Sequence, residues 1–409
     1  MKIGELSKKC NISKDAIRYY VEIGLLIPQK DTAQMNFTER EYEDLVYIQK
    51  MKKLRFNIKE IQASLTLRRL SNLIEPDTIQ AYMDILCSRR ENITSEIEIL
   101  QNALSAIDTE IAGFSAKKKA LVQETGVPLK ALSYLTCPEC HKKLKIRNAE
   151  INNTGIYSGE MYCECGYQAE IDGGIIKTGN LYTGNYDSPD LKRGLYRDVG
   201  EEFITGIQKC SDMMMAEIQK CDWHGKVIME TNINGYFFLY NNFNKMDQDA
   251  LYIITDRYPE MLFMYKNLME MLQLELDVLF IADDSLRFPI RDESVDLLID
   301  FYGSNEQFLY KQESFIESYQ KFIKKEGMVL GALFGFERNS KSLTKVPQMY
   351  PECSGIALDV KAMLDTYKKA GMKIDAAMVA ATQKTYDRYS FRCHVEGEKL
   401  EQYFYKAEF

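Results

Sequence analysis

The chain has 409 residues, 45% of them apolar and 27% charged, and a net charge of −8. At ~150 residues per domain this length predicts two to three domains, and the composition excludes disordered, collagen-like and low-complexity classes. No run approaches the ~18 apolar residues of a membrane span, Met1-Lys2-Ile3-Gly4-Glu5 lacks the basic start of a signal peptide, and ten cysteines are too few for a disulfide scaffold, so a cytoplasmic protein is expected.

The charge is uneven. Residues 1–70 hold 14 Lys/Arg against 9 Asp/Glu, so a basic head sits on an acidic body. A polyanion is then expected to meet the head alone. Within the head, residues 3–10 read as a short helix with Ile3 and Leu6 on its apolar face. Ser13 is a good N-cap for a second helix, Lys14-Asp15-Ala16-Ile17-Arg18-Tyr19-Tyr20, which Gly24 stops. Two short helices joined by Asn11-Ile12 make a helix-turn-helix, whose second helix enters the major groove. Lys14 and Arg18 lie four apart on one face. Tyr19 and Tyr20 are expected to divide labour, one hydroxyl on phosphate and one ring in the core. A plain helical hairpin with a solvated basic face has the same spacing.

These residues resemble the N-terminal domain of the MerR family of transcription regulators. The resemblance is carried by Ile3-Gly4-Glu5-Leu6, Ile17-Arg18-Tyr19-Tyr20, Gly24-Leu25-Leu26 and Pro28. It continues through Phe37-Thr38-Glu39-Arg40-Glu41-Tyr42 at the wing and Leu54-Arg55-Phe56-Asn57-Ile58-Lys59-Glu60-Ile61 at the fourth helix. It implies a winged helix-turn-helix that binds a palindromic promoter as a dimer and distorts it for RNA polymerase. The implied DNA-contacting residues are Lys14, Arg18, Tyr19, Tyr20, Phe37, Thr38 and Arg40. Thr38 and Asn57 depart from the family's usual Arg and Ser, and Arg40 or Lys30 could replace the lost wing cation.

Between residues 76 and 123, apolar residues recur every seven at Ile79, Leu86, Ile93, Leu100, Ile107 and Phe114. Met83, Ile97, Leu104 and Ile111 form a second row, broken by Arg90. Alternation by four and three is the heptad pattern of a coiled coil, and a homodimer through this helix is expected. Pro76 and Asp77 mark its start.

Cys137-Pro138-Glu139-Cys140 and Cys163-Glu164-Cys165-Gly166 can supply four thiolates in a tetrahedron around structural Zn2+. Four free thiols or a redox pair are the alternatives, and His141 is a spare ligand. The segment resembles a zinc ribbon that precedes the catalytic core in some bacterial ribosomal-RNA methyltransferases.

Beyond a Gly/Asn/Asp/Pro-rich loop at residues 172–190, apolar runs at 226–230, 251–256, 278–282, 295–300 and 327–334 read as buried strands. Helical stretches at 259–276 and 305–325 alternate with them. This predicts a doubly wound sheet with ligands at the strands' carboxyl ends. Glu230 ends the first strand and Asp256 the second, where a carboxylate can accept both hydroxyls of a ribose. His224 and His394 are isolated. The methionines at 213–215, 261, 264, 269 and 271 fit core filler or an adaptable pocket.

The body resembles the class I S-adenosylmethionine-dependent methyltransferases, above all from Asp284 through Asp300. Carried over, Glu230 and Gly235 belong to the cofactor loop, Asp256 holds the ribose, Asp284 and Ser285 the adenine, and Asp300 lines the donor's pocket. One departure is clear: the loop Glu230-Thr231-Asn232-Ile233-Asn234-Gly235 has asparagine where two glycines are usual. Asn tolerates positive φ, but its side chain occupies space beside the ligand.

The sequence thus predicts a multidomain chain: an all-α winged helix-turn-helix head (1–72), a long coiled-coil helix (76–123), a small zinc ribbon (131–178) and a C-terminal α/β Rossmann-like methyltransferase fold (195–409). It is expected to bind double-stranded promoter DNA and to sense a small molecule or S-adenosylmethionine, with no membrane partner. The alternative is an active methyltransferase with a DNA-targeting head.

Overall fold

The structure is a computed structural model of the full chain and describes all residues except 32–33, 72, 118–123, 193–199, 286 and 385–390. It divides into two units, Met1–Lys118 and Lys119–Phe409.

In the first unit, α1 (Ile3–Cys10) and α2 (Lys14–Glu22) form the helix-turn-helix. Ser13 caps α2, its hydroxyl accepting the Ala16 amide proton at 3.2 Å. Gly24 has φ +76°, the left-handed conformation that turns the chain after the helix. The wing is a hairpin of β1 (Gln29–Asp31) and β2 (Gln34–Asn36), so the head is not purely helical. Helices α3 (Glu39–Lys53) and α4 (Ile58–Ser71) complete it. Leu6, Ile17, Tyr20, Phe37, Ile48 and Ile61 are buried together in its core. Arg69 locks α4 to α3 by pairing with Asp44 at 2.7 Å and donating to the Leu25 carbonyl at 2.6 Å.

The predicted rod is one 42-residue helix, α5 (Pro76–Lys117). Tyr82, Ile85 and Leu86 pack on the head's core. Farther along, Ile97, Leu104 and Ile111 are 49%, 59% and 58% exposed, and Leu100 and Ile107 accompany them. The rod's expected last residues, 118–123, and the side chains of Phe114 and Lys30 lie outside what is described.

The second unit is built on an eleven-stranded sheet. Its central strands are β7 (Val227–Thr231), β8 (Leu251–Asp256), β9 (Asp277–Ala282), β10 (Val295–Phe301) and β11 (Ile323–Phe336). They are parallel in the order β9-β8-β7-β10-β11, the doubly wound order with its switch point between β7 and β10. An antiparallel strand β13 (Leu400–Glu408) pairs with β11, and β12 (Lys373–Gln383) closes that edge. This is a Rossmann-like, doubly wound fold with an antiparallel edge.

Strands β7 to β10 are buried on both faces, hence their continuous apolar runs. The expected helix at 305–325 is instead α9 (Gly303–Tyr310), α10 (Phe315–Tyr319) and one 3-10 turn. Helix α8 (Pro259–Met271) stops short of residue 276. Met214, Met215, Met261 and Met269 are buried core residues.

The cysteine-rich segment does not stand apart from this sheet. Its strands β3 (Lys145–Ile151), β4 (Ile156–Tyr162), β5 (Gln168–Asp172) and β6 (Ile175–Lys177) form an antiparallel meander, and β6 pairs parallel with β9.

Candidate functional site

The amphipathic pattern of α2 decides which of its residues can reach DNA. Ile17 and Tyr20 point into the core, while Lys14, Arg18 and Tyr19 are exposed. Of the two tyrosines, Tyr20 is the one in the core, with the Lys52 ammonium 5.3 Å from its ring centre, and Tyr19 faces out. Arg18 is held by Asp15, one turn before it, at 2.7 Å.

At the wing, Phe37 is 1% exposed. Its expected contact with DNA is corrected, because the ring fills the head's core and acts by seating the wing. Thr38 is the N-cap of α3, and its amide and hydroxyl both donate to Glu41 Oε2 at 2.6 Å. Asn57 does the same service for α4: it accepts the Glu60 amide proton at 3.0 Å while its own amide donates to the Glu60 carboxylate at 2.7 Å. Both departures from the usual wing residues are thus reciprocal capping boxes. Arg40 is exposed beside them.

The four cysteines converge, with all four sulfurs within 4.8 Å of one another. The Cys137–Cys165 and Cys140–Cys163 sulfur distances are 3.4 Å, far beyond the ~2.05 Å of a disulfide. Gly166 at φ +103° turns the second knuckle, and the Glu139 amide donates to Cys137 Sγ at 3.4 Å in the first. The amide of Cys165 pulls the Cys163 thiol down to about 7. The cluster can hold a metal ion. His141 is not part of it, since its ring faces Asp292 at 3.5 Å.

At the carboxyl ends of the strands, Glu230 is fully buried and accepts the backbone amides of Phe238 and Leu239 at 2.6 and 2.8 Å. Burial nevertheless pushes its carboxyl up to about 8. Both oxygens are therefore engaged, so its expected role at the cofactor becomes one of fixing the loop. Asp300 needs the same correction. It is fully buried and accepts from the Ser304 amide at 2.6 Å through Oδ1 and from the hydroxyls of Tyr367 and Tyr405 at 3.2 and 2.5 Å through Oδ2, so both its oxygens are engaged.

Asp256 accepts the Tyr258 amide proton at 2.8 Å through Oδ1, while its buried Oδ2 has no well-formed partner. Burial raises this carboxyl to about 6. Asn232 adopts φ +54°, so the asparagine does take over the glycine's backbone role. Asn234 does more. Its side chain accepts the Asp190 amide proton at 2.9 Å and donates to the Ser188 carbonyl at 3.3 Å, pinning the strap that precedes residue 191 across the loop.

The strap delivers Asp187 to Arg257, the residue after Asp256. Their ion pair is 2.7 Å long, and Glu306 lies 3.3 Å from the same nitrogen. The Arg257 guanidinium is 7% exposed and sits 5.0, 5.4 and 4.9 Å from the ring centres of Tyr182, Tyr258 and Tyr310. Burial pushes Glu306 up to about 7 against the pull of Arg257.

The remaining expected cofactor residues fall into two cavities. Asp284 and Ser285 line one of about 800 Å³, where Asp284 pairs with Lys311 at 2.7 Å. Gly235 lines another of about 190 Å³ beside Tyr236 and Glu306. The buried carboxylate after β9 is Asp283, which accepts from Ser285 and from the Arg287 amide, both at 3.2 Å. These residues thus line two separate cavities, and Arg257 of the Asp187–Arg257–Glu306 cluster lies directly beside Asp256 in the chain. The Arg257 box carried no motif; only its position after a strand-ending acid hinted at it.

A helix-turn-helix head with a hairpin wing, fused to a Rossmann-like unit, defines the class. Residues 1–67 match the family described as MerR HTH family regulatory protein, and the head is a MerR-family helix-turn-helix domain. The mercuric resistance operon regulatory protein of Bacillus cereus is 29% identical over 105 residues, which are 24% of this chain and 74% of that protein. Among solved structures, the second unit resembles an arsenic(III) S-adenosylmethionine methyltransferase from Chlamydomonas reinhardtii at 16% identity and TM-score 0.36, covering 49% of this chain and 73% of that one. It also resembles the geranyl diphosphate C-methyltransferase of Streptomyces coelicolor at 10% identity and TM-score 0.39, covering 56% and 94%. Among the described residues, no helix is long and apolar enough to cross a membrane.

Proposed function

We propose that this protein is a dimeric, cytoplasmic transcription regulator: its head binds promoter DNA, α5 joins two copies, and the Rossmann-like unit senses a small molecule. The observation that carries this reading is the pairing, in one unit, of an outward-facing Lys14–Arg18–Tyr19 surface with the exposed apolar row Ile97–Leu104–Ile111. A groove-facing basic helix supplies the phosphate contacts, and an apolar heptad row is covered by a second copy. Lys14, Arg18, Tyr19 and Arg40 contact the DNA, while Tyr20, Phe37 and Thr38 hold those residues in place. RNA polymerase is the partner at the distorted promoter, as in the family. Ligand in the second unit acts by binding two arrangements of the dimer unequally, since equal binding shifts nothing.

Zn2+ is the metal for the cysteine cluster. Zinc–sulfur bonds of ~2.3 Å in a tetrahedron give sulfur separations of about 3.8 Å, close to the 3.4 Å pairs here. Four thiolates close the coordination shell, so the ion's role is structural.

A second reading, an S-adenosylmethionine-binding domain with methyl transfer, is favoured by one observation, the buried Oδ2 of Asp256, which no well-formed hydrogen bond reaches. It requires the strap to leave the loop. Light scattering of the purified chain, with footprinting on its own upstream DNA, tests the leading reading. A monomer that leaves that DNA unprotected at modest salt refutes it.

A further inference from the structure

The roughly 800 Å³ cavity beyond the end of β9 has a definite chemistry. Its lining includes Tyr182 and Tyr310 together with Asp284, Glu313 and Glu352. Of the cations that line it, Lys311 is committed to Asp284 at 2.7 Å, and Arg287 to Glu139 at 3.0 Å. Glu313 and Glu352 have no ion pair among the described residues, and Tyr182 donates to Glu352 at 3.4 Å. The cavity therefore offers aromatic faces and two uncompensated carboxylates.

The chain itself shows how these walls treat a positive charge. Arg257 lies within 5.0 Å of the Tyr182 ring centre and 4.9 Å of the Tyr310 ring centre. The two tyrosines that face the cavity are thus also two sides of a box that holds a buried guanidinium. Ring faces attract cations through their quadrupole, most strongly where water is excluded, and carboxylates beside them add direction.

Building on the sensor reading, we infer that this cavity is the effector site and that its ligand is an organic monocation, a protonated amine, guanidine or quaternary ammonium with a flat apolar body. The body lies on Tyr182 and Tyr310, and the charge faces Glu313 and Glu352. A ligand there competes with Arg257 for the same two rings. Arg257 is what ties the strap down through Asp187, so occupancy of the cavity loosens the strap.

The test is calorimetry on the full-length protein with phenylguanidinium and with phenylurea, its neutral isostere. The expected result is binding of the cation at least about tenfold tighter than the urea, the order that a desolvated cation–π contact supplies. Glu313→Gln with Glu352→Gln is expected to weaken the cation about tenfold while leaving the melting curve in place. Equal affinity for the two probes, no effect of the double variant, or no heat from phenylguanidinium at about 10 mM overturns the site. Promoter affinity is measured in the same samples. Cation binding without any change in promoter affinity keeps the site and removes the sensor reading. A change in promoter affinity with S-adenosylmethionine, but no phenylguanidinium binding, keeps the sensor and removes the cation.

Discussion

Asn234 Oδ1 accepts the backbone amide proton of Asp190 at 2.9 Å, so a side chain in the loop after β7, at a position where the methyltransferase resemblance expects glycine, anchors the segment that ends at residue 190. The same side chain donates to the Ser188 carbonyl at 3.3 Å. The Asn234→Gly variant removes both bonds and about 1 kcal/mol of backbone restriction. The expected outcome is faster hydrogen exchange over residues 184–190 and a gain of at least tenfold in S-adenosylmethionine affinity. Exchange mass spectrometry and calorimetry check both; unchanged exchange shows that the strap is held elsewhere.

Arg18 and Asp15 are an exposed pair one turn apart at 2.7 Å. An exposed pair of this kind contributes at most a fraction of a kcal/mol to stability, so substitutions here read out binding. Arg18→Ala is expected to weaken promoter binding and to reduce the salt slope by about one. Asp15→Ala frees the guanidinium and removes a like charge from the phosphates, so it is expected to tighten binding two- to tenfold at low salt, a gain that fades as salt rises. Fluorescence anisotropy across a salt series measures both.

Much of this was readable from sequence because the physics is local. Ser13, Gly24 and the spacing of Ile17 and Tyr20 fix the helix-turn-helix within a dozen residues. The parallel strands announce themselves because both faces are covered. Other features depend on distance. Arg257 meets Asp187 from 70 residues earlier and Glu306 from 49 residues later, and no spacing rule announces such a cluster. Glu230 and Asp300 lie at strand ends, as their apolar runs predict, but which way each carboxylate points is set by amides and hydroxyls from the short helix Phe238–Asn242, Tyr367 and Tyr405. The motif points Phe37 at DNA, whereas its size and the lack of a polar handle place it in the core.

The seam on α5 gives a sharp prediction. Leu104 is 59% exposed in the single chain; a lysine there leaves the monomer intact and buries a charge in the dimer. Leu104→Lys is expected to yield folded monomers and a loss of more than about a hundredfold in promoter affinity, since one head loses the second's contacts. Light scattering and gel shift check it. A surviving dimer locates the interface elsewhere.

The buried Glu230 sets a pH dependence of unusual sign. Its ordinary value is 4.5, and burial raises it to about 8 in the folded chain. Between these values the folded state holds a proton that the unfolded state has released, so stability falls as pH rises through this window. The slope from this one group is at most about 1.4 kcal/mol per pH unit. Denaturant titrations at pH 5.5, 6.5 and 7.5 are expected to show declining stability of the second unit, and Glu230→Gln to flatten the decline.

The pairing of β6 with β9 changes what the cysteine cluster can be. A module joined only by a linker melts by itself. This one shares a hydrogen-bonded ladder with the central strands, and the Leu135–Ile290 bridge adds a second seam. Chelation of the metal is therefore expected to lower one common calorimetric transition for the whole of residues 124–409, with no separate peak for the small meander. Excising it would strip β9 bare and leave an adhesive flank. Loss of the cysteine cluster is therefore expected to promote polymerisation as well as unfolding.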